Sequence, residues 1–134
     1  MRKNDLFILI GGSVVFYDAL SSFLSRSLEL EYTDFAIGSM LIYFLAGFWG
    51  AFRFSFLTGL VAGPFAGLLD ATLGLLVSQL IGPFTEFNYE FVPFDKYFIM
   101  LLTVILASSI VGLAGAILGT LIRRLRDKRS IAAQ

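Results

Sequence analysis

Neither cysteine nor histidine occurs among the 134 residues, and only three residues are proline. The first two absences remove disulfides, thiolate and imidazole metal sites, cysteine nucleophiles and the usual axial histidine of a haem. Charge is scarce as well. Asp, Glu, Lys and Arg make up 15% of the chain, against about a quarter in a soluble domain, and they cancel to a net charge of zero. Without a basic excess there is no electrostatic footprint for nucleic acid. Neither nucleic acid nor a cofactor or metal is therefore expected as a partner. What is abundant is apolar: 57% of the residues are hydrophobic, with a mean hydropathy of +0.84. That composition excludes an ordinary soluble domain and predicts an all-α integral membrane protein surrounded by lipid bilayer.

Four apolar runs, at 6–25, 35–52, 57–81 and 97–122, are long enough to cross a hydrocarbon core of about 30 Å as helices. They predict one four-helix transmembrane domain over 1–134, with residues 123–134 as a basic tail that extends the last helix towards the headgroups. The first run follows Arg2 and Lys3 in the manner of a signal peptide. It contains Asp18 and lacks a small-x-small cleavage site, so it is expected to stay as a span. Arg53 occupies a very short connection, which makes the second and third spans antiparallel neighbours. The one sizeable loop, PFTEFNYEFVPFDK, alternates Phe87, Tyr89 and Phe91 with Asn88 and Glu90. It predicts an interfacial aromatic segment, with a lid or partner-docking surface as the sharper alternative.

The bases orient the chain. Arg2, Lys3, Arg53, Arg123, Arg124, Arg126, Lys128 and Arg129 fall on one side of the four spans, and Arg26 and Lys96 on the other. Both termini are therefore expected in the cytoplasm, with the protein in the plasma (inner) membrane and Glu29, Glu31, Asp34, Glu86, Glu90 and Asp95 facing outward.

Small residues recur at helical spacing in every span. Gly59, Gly63, Gly67, Asp70 and Gly74 form a stripe on the third, opposite a lipid-facing Leu75. Gly47 and Gly50, with Ser39, Tyr43 and Ala46, do so on the second, and Ser108, Gly112, Gly115 and Gly119 on the fourth. The glycines are expected to mediate close helix contact, and Pro64 to introduce a kink. The first and third spans also share a pattern, Gly11 with Asp18-Ala19 and Gly63 with Asp70-Ala71, and the second and fourth share Gly47-x-x-Gly50-Ala51 and Gly112-x-x-Gly115-Ala116. This raises a tandem repeat of two helical hairpins. The general abundance of glycine and alanine in membrane helices is the competing explanation.

Asp18 and Asp70 carry the chemistry. Each sits near mid-span on a small-residue face, and no Lys, Arg or His occurs inside a span to neutralise it. A carboxylate at the bilayer centre costs at least about 2.5 kcal/mol when ionised, so compensation must come from hydroxyls and amides, water, a cation or a proton. Ser13, Tyr17, Tyr43, Thr72, Ser78, Gln79, Thr103 and Ser108 are the candidate partners. A proton-, cation- or small-ligand-linked site is one reading; two protonated acids holding helices together by hydrogen bonds is the other.

The segment GLVAGPFAGLLDATLG, residues 59–74, resembles a Gly-x3-Gly-Pro-x2-Gly pattern followed by Asp in the substrate-binding S components of energy-coupling-factor transporters. The resemblance implies a ligand cavity beside Asp70 covered by the outer loop. Those proteins carry more spans, and the Ala-x3-Ala docking helix of their type is missing from the first span here. Two function classes follow: a transport component using Asp18 and Asp70, or a non-catalytic accessory or assembly subunit of a larger membrane complex using the glycine faces. Either favours a homo-oligomer or partner membrane subunits. No nucleophile and base pair stands out, so an enzyme is not expected.

Overall fold

The computed structural model describes residues 2–84 and 94–132, and in the last helix the side chains of 96–129. Four helical rods cross in alternating directions, and each is long and apolar enough to span a membrane. α1 runs from Lys3 to Leu28, a short 3-10 turn occupies Tyr32–Phe35, and α2 covers Ala36–Arg53. The third rod is α3 (Phe56–Leu69), a π-helical turn (Asp70–Gly74) and α4 (Leu75–Ile81) in succession. α5 spans Phe94–Ala132.

Their ends follow local chemistry. Ser55 caps α3 by accepting the Thr58 N–H at 3.2 Å, which lets the chain turn back within two residues of α2. Gly82 ends α4 at φ 69°, a left-handed cap that glycine adopts at no steric cost. α2 and the third rod match their predicted stretches to within about a residue, whereas α1 and α5 outrun theirs, because polar residues continue a helix beyond the lipid. The extreme case is α5, 39 residues and about 58 Å long at 1.5 Å per residue, which carries the basic segment as helix well beyond the hydrocarbon.

α2, α3 and α5 form a glycine seam. A Cβ on Gly63 would lie 2.7 Å from the Gly112 Cα and 2.8 Å from the Ser108 carbonyl, and one on Gly47 would overlap the Gly112 carbonyl. Gly50 packs on Gly59, Gly67 on Ser108, and Gly115 and Gly119 on the α2 backbone at Phe44 and Phe48. The third-rod stripe is not one face. Gly59, Gly63 and Gly67 meet α2 and α5, whereas Gly74 meets Asp18 of α1. A spacing of four overshoots a full turn by about 40° at 3.6 residues per turn, so the stripe winds around the helix, and the wide π turn breaks its register again.

α1 packs with side chains. Leu6, Ile10 and Val14 are buried at one end of it, where Phe7 meets the Phe65 ring edge-on at 5.0 Å. Asp18, Ser21, Ser22 and Ser25 are buried towards the other end. The two hairpins therefore differ in packing: Gly63 lies on the Gly112 backbone, but Gly11 meets only the tip of Leu69.

Side chains stitch both ends. At the end carrying the loops, Ser25 donates to Leu30 and Phe84 carbonyls, Arg26 to the Ile81 carbonyl at 2.7 Å, and Tyr17 to the Phe35 carbonyl at 2.7 Å. At the end carrying the termini, Arg123 donates to the Phe54 carbonyl, and the Arg126 guanidinium sits 4.9 Å over the Phe52 ring. The aromatic alternation at Phe87, Tyr89 and Phe91 lies outside the described residues.

Candidate functional site

The site begins with a helix irregularity. Pro64 sits within regular α-helix, and the departure comes at Asp70–Gly74, where the turn widens to a π-helix. A single-turn π-bulge is rare and concentrates at functional positions. The Leu75 N–H reaches back to the Asp70 carbonyl, and the Tyr97 hydroxyl donates to the Ala71 carbonyl at 3.1 Å, so the widened turn is pinned from α5.

This turn sets Asp70 opposite Asp18. A Cβ on Gly74 would overlap Asp18 Oδ2 and lie 3.2 Å from Asp70 Oδ1, so both carboxylates converge on bare backbone that only glycine leaves open. Their surroundings differ. Asp18 is 2% exposed, its Oδ1 accepts from the Tyr32 hydroxyl at 3.3 Å, and its Oδ2 meets no hydroxyl or amide donor, leaving Asp70 as its neighbour. Asp70 is partly exposed and accepts from the Tyr43 hydroxyl. The two carboxylates act directly on each other. Two ionised acids this close in a bilayer, with no base in the spans, require a proton or cation to offset their charge.

Of the eight hydroxyl and amide candidates, Tyr43 alone donates directly to a carboxylate. Thr72, Ser78, Thr103 and Ser108 donate instead to carbonyls three or four residues back in their own helices, as hydroxyls in mid-helix commonly do. Tyr17 is taken by the Phe35 carbonyl, and Gln79 is exposed. The partners that sequence reasoning missed are Ser39, which reaches Asp70 from α2, and Tyr32. Tyr32 stands in a polar connection outside the apolar runs, and only its reach from the 3-10 turn brings its hydroxyl back to the acid. The turn is held in place by the Tyr32 N–H, which donates to the Phe84 carbonyl at 3.3 Å.

Polar and apolar residues divide along the axis at the acids. Towards the loop end lie Ser22, Ser25 and Ser78, all buried, with the Tyr32 ring among them and interacting with Ser22 and Ser78. Towards the termini lie Leu6, Ile10, Val14, Ala62 and Ala66, a buried, mainly apolar cluster that Tyr43 joins, with Ser108 buried against Gly63 and Gly67 at the same level. Beside the pair, an open cleft of about 160 Å³ is lined by Tyr32, Asp70, Ala71, Leu75, Met100 and Val104. Leu75 lines this cleft and is partly exposed. No group of three or more acidic, Cys or His side chains able to hold a metal occurs among the described residues.

No protein-family model, curated protein or solved structure matches this chain.

Proposed function

We propose that this four-helix membrane protein is a transport component whose Asp18–Asp70 pair takes up and releases a proton or a cation from the loop end of the bundle. The observation that carries the reading is Asp18, 2% exposed and set directly against a second carboxylate, with no base inside the spans to neutralise either. The polar lining on the loop side of the pair and the mainly apolar lining on the other favour access from one end in this conformation. Passage across the whole bilayer then calls for a second conformation or a second copy.

The division of bases supports a reading with both termini in the cytoplasm of a plasma (inner) membrane and the loop end outermost. An accessory subunit would dock through its glycine faces. Here Gly47, Gly50, Gly59, Gly63, Gly67, Gly112, Gly115 and Gly119 are consumed within the chain, which weighs towards transport. The test is proton and monovalent-cation uptake by liposomes containing the wild type, Asp18→Asn or Asp70→Asn. Each amide should preserve the fold and abolish uptake. Unchanged flux in both would make the acids structural and put the accessory role first.

A further inference from the structure

Asp18 and Asp70 are unequal partners. Asp18 is sealed at 2% exposure, whereas Asp70 lines the open cleft of about 160 Å³ with Tyr32, Ala71, Leu75, Met100 and Val104. We propose that this cleft binds a small organic ammonium ion, with Asp70 as its counter-ion and the Tyr32 ring as a second attractive surface. The inference rests on the transport reading and names its substrate class.

Three observations select that chemistry. The cleft has a carboxylate and no base among its lining residues, so it favours a cation. The cation is not a bare metal ion, because hard cations want about six oxygen ligands, while Leu75, Met100 and Val104 offer alkyl and thioether surface. An alkylated nitrogen presents methyl or methylene groups to such walls and its charge to a carboxylate and an aromatic face. The volume then limits size. Drug-sized ligands occupy pockets of about 300 Å³ and upward, so 160 Å³ suits a compact ammonium and excludes a bulky one.

The floor of the cleft is built to last through such binding. Asp70 and Ala71 belong to the π turn, and Tyr97 pins the Ala71 carbonyl from the opposite helix. Because Asp70 also faces Asp18, an ammonium in the cleft and a proton or cation between the acids draw on the same negative charge. Binding one therefore releases the other, which couples the two fluxes.

The experiment is calorimetric titration of the full chain in lipid nanodiscs with tetramethylammonium chloride, against sodium chloride and neutral tert-butyl alcohol. Wild type should bind tetramethylammonium saturably and show no binding of the alcohol. Asp70→Asn and Met100→Trp, the second filling the cleft without touching charge, should each weaken binding about tenfold or more. A thermal melt establishes that each variant is folded, and either one is decisive if the other is not. No tetramethylammonium binding, equal binding of the alcohol, or unchanged affinity in Met100→Trp would overturn the proposal. Liposome uptake separates this failure from that of the transport reading: uptake lost in Asp18→Asn with no ammonium binding leaves transport standing and removes the ammonium.

Discussion

Where α2, α3 and α5 meet, backbone lies on backbone; where α1 meets the rest, its side chains make the contact, even where Asp18 and Tyr17 reach the glycine backbone of Gly74 and Gly38. The glycine seam gains from many short dispersion contacts and excludes lipid and water alike. The α1 side combines apolar knobs at one end with buried serines and an acid at the other. Lipid tails are as apolar as leucine, so burying Leu6, Ile10 and Val14 against protein gives little that lipid would not, and interhelical hydrogen bonds in membranes average only about 0.6 kcal/mol. The seam is therefore expected to be the rigid part of the bundle, and α1, tied mainly at its loop end by Tyr17, Ser25 and Arg26, the element better able to shift. It is apt that one carboxylate rides on each: a movement of α1 alone changes the distance between Asp18 and Asp70.

The sharpest way to break this contrast is to wedge the seam. Gly63→Leu drives a side chain into the Gly112 backbone, which cannot yield by changing rotamer. The expected loss is about 3 kcal/mol or more, and thermal unfolding in detergent should show little folded protein. Leu76→Phe, on an exposed position of α4, is the matched control and should melt like the wild type. Equal tolerance would mean that the seam is loose and the contrast false.

Gly74→Ala probes the other side with a single methyl. Its Cβ meets the Asp18 carboxylate rather than backbone, and that group can move if α1 moves. A smaller loss of about 1 to 2 kcal/mol is expected, together with loss of liposome uptake because the acids are forced apart. A fold lost as completely as in Gly63→Leu would show α1 to be as rigid as the seam.

The seam was the more legible half. Gly47, Gly63, Gly112, Gly115 and Gly119 announce themselves by spacing alone, since small residues at intervals of three or four have one evident use in a membrane helix. The four spans were legible for the same reason: hydrophobic length is a local property. The acids could be read as inward-facing and matched in depth, but not as a pair of unequal exposure. That inequality depends on the π turn at Asp70–Gly74, a geometry with no residue signature, and on Tyr32, whose contact joins positions in different elements. Nor could spacing tell which hydroxyls would turn back on their own helices. Thr72 and Thr103 look as available as Tyr43 in the sequence, and only the length of the tyrosine ring carries its hydroxyl across to the neighbouring rod.

The smallest expected effects distinguish the two acids through their hydroxyl donors. Tyr43 is 4% exposed and belongs to α2, so its bond to Asp70 is anchored in the rigid seam. Tyr32 comes from the loop end, and its bond to Asp18 is long at 3.3 Å. Removing the hydroxyl in Tyr43→Phe should cost about 1 kcal/mol, and in Tyr32→Phe about half that, near the average for a hydrogen bond in a membrane bundle. Melting curves of both variants and of the double variant complete a mutant cycle. If Asp18 and Asp70 act as one unit, stripping both tyrosine donors throws the pair back on each other and on Ser39, and the double variant should lose more than the two singles together. Simple additivity would make them independent acids that happen to be neighbours. A costlier Tyr32→Phe than Tyr43→Phe would reverse the contrast, placing the firm support of the site at its loop end rather than in the seam.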